Sequence, residues 1–408
     1  MTKFAKRLTL AAILLLAPLA AHADATSDQI ARGQYLTRAA DCQACHSAPG
    51  GQPFAGGRAF VLPFGTLYSP NITPDAATGI AGYSDHDWLR MIHDGVGRGG
   101  RHLYPAMPYP SYTGMSDGDA LAIKAYLLSL KPVAASPPPN KLSFPFNQRW
   151  GMVAWNLLNN PDKRFTPDDS KSADYNRGAY LVENLGHCGE CHTPRNFMMA
   201  TKSSDALAGY KQAGWMAYNI TPDQATGLGG WSDAQIEHYL STGYAPGHGP
   251  ASGPMAEAVS DSLRYLSPGD IHAITVYLRA VPARTNGVHV VAASGTPPMS
   301  ETSTGAQLFQ DGCQGCHLPN GQGRQSPWAS LAGAQTVGDP DGTNIVQILT
   351  QGSAVATPMG TMFMHPFTGA YTDAELADLA NYTISQFGYR QGDVTTADVA
   401  KIRAGKAQ

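Results

Sequence analysis

The sequence predicts an all-α fold built as three tandem units with glycine- and proline-rich loops, and three observations predict it. One short stretch occurs three times, as Asp41-Cys42-Gln43-Ala44-Cys45-His46, Gly186-His187-Cys188-Gly189-Glu190-Cys191-His192 and Gly312-Cys313-Gln314-Gly315-Cys316-His317, and these hold all 6 cysteines. The first two units repeat further. Arg32-Gly33-Gln34-Tyr35-Leu36 returns as Arg177-Gly178-Ala179-Tyr180-Leu181, Asn71-Ile72-Thr73-Pro74-Asp75 as Asn219-Ile220-Thr221-Pro222-Asp223, and Ser84-Asp85 as Ser232-Asp233. The offset grows only from 145 to 148 residues, which points to a duplication. Each unit also closes on helical periodicity. Ile123, Tyr126, Leu127 and Leu130 fall at i, i+3, i+4 and i+7, as do Ile274, Tyr277, Leu278 and Val281; Leu376, Leu379, Ala380 and Thr383, with Tyr382 beside them, form a weaker copy.

Taken in order, residues 1–23 read as a secretory signal: basic Lys3, Lys6 and Arg7, an apolar run from Leu10 to Leu19, and Ala21-His22-Ala23 before Asp24. The run is too short to span a bilayer, and no later stretch is long and apolar enough to do so. The mature chain is therefore expected to be exported, with any membrane attachment peripheral. Loss of the three basic residues takes the net charge from −3 to about −6, which argues against nucleic acid as a partner. At 408 residues the length suits about three domains. Only 14% of residues are charged, while 44 glycines and 30 prolines imply much ordered loop.

The first unit, 24–135, opens with the capping pattern Thr26-x-x-Gln29, followed by a helix running towards Cys42. A middle helix is expected from Ser84 to Val96, matched by Ser232 to Tyr244 and Thr343 to Thr350. Closing helices should start at Ser116-x-x-Asp119, Ser267-Pro268-x-Asp270 and Thr372-x-x-Glu375. The linker 136–169 contains Pro137-Pro138-Pro139, an extended element, then Trp150, Met152, Val153, Trp155, Leu157 and Leu158. That apolar stretch reads either as a strap packed between the first two units or as a docking surface for a partner subunit or the membrane interface. The second unit covers 170–283. The linker 284–300 has no such cluster, so the third unit, 301–390, is expected to be more loosely tethered, and 391–408 to be a polar C-terminal tail.

The chemistry lies in the repeated motif. Local disulfides or zinc knuckles would also use paired cysteines, but neither needs a histidine directly after each second cysteine, and zinc needs four ligands from two knuckles. In Cys-x-x-Cys-His the two thiols add across the two vinyl groups of a haem and the imidazole reaches the iron. The sequence thus implies three covalently bound haem c groups, held by Cys42, Cys45 and His46, by Cys188, Cys191 and His192, and by Cys313, Cys316 and His317, with His46, His192 and His317 as iron ligands. A thioether on the opposite face would make each iron an electron carrier with no open position. Met107 and Met255 are 148 residues apart, matching the repeat, and lie 61 and 63 residues after His46 and His192. Their competitors Met115, Met216 and His102 align with Leu263, Tyr68 and Pro250. In the third unit, Met362 and Met364 sit 10 and 8 residues before Thr372, against 9 between Met107 and Ser116. Met364 is preferred because Pro366 and Phe367 follow it closely; Met362 and His365 stay open. Arg58, Trp88 and Trp231 could reach haem propionates but are equally well explained as an exposed arginine and core tryptophans.

These features together resemble the triple-haem cytochrome c subunits of bacterial membrane-bound dehydrogenases for alcohol, aldehyde, gluconate or fructose. The resemblance implies three tandem class I cytochrome c domains and a non-catalytic electron-transfer subunit. It also implies a catalytic dehydrogenase subunit as partner, with electrons passed to ubiquinone or the respiratory chain at the periplasmic side of the inner membrane. The alcohol dehydrogenase subunits of this family end in a longer C-terminal region than Tyr389 to Gln408, which leans the reading towards an aldehyde-oxidising partner. A freely diffusing carrier and a haem peroxidase are the rival functions. With the haems in separate domains, the sites are expected to act nearly independently. Mass spectrometry of the mature chain should show a polypeptide beginning at Asp24 plus three covalent haems; a mass fitting three disulfides and no haem would end this reading.

Overall fold

The computed structural model describes residues 26–285, 299–324 and 326–405 and is predominantly helical. The expected leader and most of the second linker lie outside the described residues. Each unit is framed by two crossing helices. The leading members are 26–39, Ala173–Tyr180 and Thr304–Gly312, and the closing members are Asp117–Ser129, Pro268–Ala280 and Asp373–Gly388. The closing helices start where the capping signals place them, because Ser116, Ser267 and Thr372 accept a backbone N–H from the third residue of the helix.

The crossing explains the glycine of the Arg-Gly-x-Tyr repeat. A Cβ on Gly33 would lie 1.9 Å from the Ala122 carbonyl oxygen, one on Gly178 1.9 Å from that of Ala273, and one on Gly305 2.3 Å from that of Asp378. The next contact in each case includes the Cβ of Tyr126, Tyr277 or Tyr382, at 2.9, 2.7 and 2.7 Å. Only a residue without a side chain lets the two backbones come this close.

Between the framing helices lie the middle helices Asp85–Asp94, Asp233–Thr242 and Thr343–Gln351, the first two fixed by capping boxes at Ser84 and Ser232. Each ends at a glycine with positive φ, namely Gly95 (64°), Gly243 (73°) and Gly352 (80°), and turns into a short antiparallel hairpin. The Asn-Ile-Thr-Pro-Asp loops are duplicated in detail. Asn71 accepts from Thr73 N–H at 2.9 Å and donates to the Val133 carbonyl at 2.8 Å, while Asn219 does the same with Thr221 at 2.8 Å and Arg284 at 2.7 Å. Each loop thus anchors the chain just beyond its closing helix.

The first two units are not independent bodies. One apolar cluster runs from Leu36 and Ile123 in the first to Leu181 and Ile274 in the second. Across it the repeats exchange hydrogen bonds reciprocally. Tyr35 donates to Asp270 at 2.6 Å and accepts from Ser267 N–H at 3.0 Å; Tyr180 donates to Asp119 at 2.7 Å and accepts from Ser116 N–H at 3.2 Å. Each acid also holds the arginine of its own unit, Arg177 to Asp270 at 2.7 Å and Arg32 to Asp119 at 2.5 Å. Burial acts to raise the Asp270 carboxyl, but the hydrogen bonds from Arg177 and Tyr35 outweigh it and leave its pKa below the usual value.

Two expectations are corrected and a third is refined. The third unit has its own core, around Phe309, Leu376 and Ile384, yet it is not loosely attached. Asn344 brackets the Met216 backbone, accepting from its N–H at 2.8 Å and donating to its carbonyl at 2.9 Å, Gln347 donates to Gly214 at 2.7 Å, and Ala251, Ala256, Val259 and Val355 form an apolar seam. The stretch 391–408 carries the capped helix Thr396–Arg403, whose Val399 and Ile402 are buried in the third core. The strap helix Gly151–Asn159 buries Trp155 against Tyr109 and Ala200 while leaving Val153, Leu157 and Leu158 exposed, so both sequence readings of it contain part of the structure.

The helix crossing gives a direct test. Gly33→Ala or Gly178→Ala must push two backbones apart and should each lower stability by about 2 kcal/mol or more, read by chemical denaturation of the haem-loaded chain. Gly230→Ala, whose Cβ would meet nothing within 4 Å, should change little.

Candidate functional site

Each motif sits just after a leading helix, on a single turn: Cys42–Cys45, Gly189–His192 and Gln314–His317. The first turn holds both Cys42 and Cys45, three residues apart on one face, while in the other two the first cysteine, Cys188 or Cys313, is the residue that starts the turn. All six thiols are free. Burial pushes those of Cys42, Cys45 and Cys188 up to about 12 and those of Cys191 and Cys313 up to about 11. Burial thus keeps these five as neutral thiols, unlike the low-pKa thiolates of zinc or redox sites. Among the described residues, no three His, Cys, Asp or Glu side chains converge to hold a metal ion.

The histidines share one arrangement. His46 Nδ1 lies 2.9 Å from the Pro70 carbonyl, His192 Nδ1 2.6 Å from that of Tyr218, and His317 Nδ1 2.7 Å from that of Ala329. A carbonyl only accepts, so Nδ1 carries the proton and Nε2 keeps its lone pair free for a metal. Burial lowers all three pKa values, which favours the neutral, ligating imidazole. Two thiols three residues apart beside an imidazole of fixed tautomer fit a covalently held haem at each motif.

The methionines divide by environment. Met115 is almost fully buried in the core beside Leu36 and Ile123, where it serves as packing. Met107 lies at the edge of that core, in the turn its N–H makes to the Tyr104 carbonyl. Met255 lies in the first turn of helix Gly253–Asp261. The same closure precedes both: Leu103 N–H donates to Gly95 and Ala251 N–H to Gly243, each at 2.7 Å. Met107 and Met255 each follow their helix-ending glycine by 12 residues, and so does Met364 follow Gly352. The third hairpin is longer, however, and pairs Met364 with Ser353, where the first pairs His102 with Val96. Met364 packs on the third core, whereas Met362 joins the seam with Met255 and His365 is exposed.

The first two motifs meet across the seam. The His187 ring lies edge-on to Tyr112 at 5.5 Å, Tyr112 donates to the Ala40 carbonyl at 2.8 Å, and Ser111 donates to Glu190 at 3.2 Å. Cys191 is near enough to Cys45 to oppose its ionisation.

Of the three residues weighed for propionates, the two tryptophans are core residues as the alternative reading had them, while the Glu257 partner of Arg58 was missed from sequence. Arg58 donates to the Ala44 carbonyl at 2.8 Å and pairs through both guanidinium nitrogens with Glu257, joining the first motif to the helix that carries Met255. Trp88 is a core residue donating to Ala120 at 2.7 Å, and Trp231 stacks on His248 at 3.7 Å. The repeated helix-ending glycines carried a register for the third methionine that spacing to the closing helix did not.

The sequence profile of the cytochrome c family matches residues 30–131 and 302–385. The chain is 38% identical to the fructose dehydrogenase cytochrome subunit of Gluconobacter japonicus, over 95% of this chain and 85% of that protein. It is likewise 38% identical to the gluconate 2-dehydrogenase cytochrome c subunit of Pantoea cypripedii, covering 92% and 89%. The alcohol dehydrogenase (quinone) cytochrome c subunit of Gluconobacter oxydans is 35% identical over 94% and 84%.

Replacing Met107 or Met255 by alanine should leave covalent haem in place, lower the potential of one haem and let it bind added ligands, seen in spectra and redox titration. Met115→Ala should instead cost about 2–4 kcal/mol of stability through a core cavity and leave the haem spectra unchanged.

Proposed function

This chain belongs to the cytochrome c family, among the cytochrome subunits of dehydrogenase complexes, and on that footing we propose that it is a three-haem relay between a dehydrogenase and a quinone. In this reading it is organised as three cytochrome c domains, 24–135, 170–283 and 301–390. The observation that carries the reading is the threefold recurrence of one arrangement, two free thiols on a helical turn beside an imidazole whose Nδ1 is committed to a backbone carbonyl. Haem c, when bound, supplies reversible one-electron chemistry at its iron. The chain's part would be to fix three imidazoles in one tautomer, to supply thioethers from Met107, Met255 and Met364 as further iron ligands, and to exclude water with the framing helices.

The seam between the first two units supports direct transfer between their haems, because rigid packing there fixes one motif against the other. The partner would be a catalytic subunit oxidising an alcohol, sugar or sugar acid, as the names of the relatives suggest, or an aldehyde, as the short C-terminal region suggested. Export, a periplasmic position and peripheral attachment to the inner membrane complete the proposal. Among the described residues no helix is long and apolar enough to cross a membrane.

The haem-loaded subunit should be reduced by its cognate dehydrogenase plus substrate and should oxidise no alcohol, aldehyde or sugar acid alone. Loss of one axial methionine should slow electron flow to quinone while the dehydrogenase still reduces an artificial acceptor. Substrate turnover by the isolated chain, or peroxide consumption at an enzymatic rate, would replace the relay with an enzyme.

A further inference from the structure

The strap helix Gly151–Asn159 buries Trp155 but leaves a second apolar side in water. Its inward side carries asparagines: Asn156 accepts from the Tyr109 hydroxyl at 2.5 Å and donates to the Asp94 carbonyl at 2.9 Å. Asn160, just beyond it, donates to the His93 carbonyl at 2.9 Å. Its outward side is wholly apolar, with Trp150, Val153 and Leu157 at i, i+3 and i+7 and Ala154 and Leu158 beside them. Trp150 is 74% exposed, Leu157 85% and Leu158 69%. The extended linker before the helix adds Phe144, 79% exposed, and the loop on which Trp155 packs adds Phe197, 95% exposed. Burial inside the protein cannot account for these side chains, since the helix is already docked by its opposite side, through Trp155, Asn156 and Asn160.

Basic residues gather on the segments that precede the helix, and acids lie towards its C-terminal half, where the Asp94 carbonyl receives Asn156 and Asp162 follows Asn160. Residues 95–116 and 136–161 contain Arg98, Arg101, Lys141 and Arg149 and no Asp or Glu, in a chain whose net charge is negative. None of the four is paired with a carboxylate among the described residues. The Arg149 guanidinium lies over the Tyr104 ring at 4.5 Å and donates to the His102 carbonyl at 2.6 Å, which holds a cation directly beside Trp150.

Exposed aromatic and aliphatic side chains on and beside one helix, with unpaired Lys141 and Arg149 in the stretch that leads into it, match a bilayer interface with anionic headgroups. We propose that the strap helix, with Phe144, Trp150 and Phe197, inserts into the interfacial layer of an anionic membrane while Lys141 and Arg149 meet lipid phosphates. This rests on the peripheral attachment in the proposed function and names the element responsible. The turn carrying Met107 lies against the same helix through Tyr109, so the docked surface sits beside the first candidate haem site.

Co-sedimentation of the haem-loaded full chain with vesicles of phosphatidylcholine, alone or mixed with phosphatidylglycerol, tests it, with haem absorbance reporting bound protein. The chain should bind the phosphatidylglycerol vesicles more strongly, and salt should weaken that preference. Leu157→Gln with Leu158→Gln should reduce binding about ten-fold or more without altering the haem spectrum. Lys141→Gln with Arg149→Gln should remove the preference for phosphatidylglycerol. Equal binding by the leucine variant would overturn the inference. So would a chain that binds neither vesicle but uses this face to bind the purified dehydrogenase subunit. Reduction of each variant by the dehydrogenase and its substrate is measured in parallel without vesicles: if it persists while vesicle binding fails, only this inference falls, and its absence from the native chain would count against the relay itself.

Discussion

The structure depends on the close crossing of the leading and closing helices. Three glycines, Gly33, Gly178 and Gly305, let backbone meet backbone where any Cβ would collide with a carbonyl oxygen. The motif follows directly from the leading helix, and the middle helix packs on the closing one, as Trp88 does on Ala120. The placement of thiols and imidazole is therefore set from a contact that contains neither.

From that frame the first two units gain a shared identity. Their seam is apolar at its centre, yet its polar contacts are specific, since Tyr35 and Tyr180 each satisfy a helix start in the other repeat. A buried hydroxyl left unpaired costs roughly 1–3 kcal/mol, so the seam tolerates little sliding. Such rigidity suits electron transfer, which depends on fixed separation and not on motion. It also alters the expectation that the sites act independently, because a change at Asp119 or Asp270 touches both units.

Much of this was legible in the sequence. Helix starts at Ser84, Ser116, Ser232, Ser267 and Thr372 follow from capping chemistry that acts within four residues, and the periodicity of Ile123 to Leu130 names the buried face before any partner is known. The repeat alone set Met107 apart from Met115, and the structure puts Met115 inside the core and Met107 at its edge. What escaped has no local signature. The contact from Tyr35 to Asp270 spans 235 residues, Arg58 reads as any surface arginine until Glu257 is placed beside it, and the helix Thr396–Arg403 buries only Val399 and Ile402 in an otherwise polar stretch. The strap's composition showed that it was apolar; only the fold showed that its asparagines face inward.

The reciprocity of the seam has a further consequence. Residue i of one repeat meets residue j of the other and j meets i, the pattern of an isologous contact between two copies of one subunit. Each repeat carries both halves of that contact, the tyrosine on its leading helix and the acid on its closing helix. A lone ancestral unit with these two features would have been self-complementary, able to pair with itself before any linker existed. The first two-thirds of the chain then has the architecture of a homodimer made permanent by fusion, and its two halves are bound to change together.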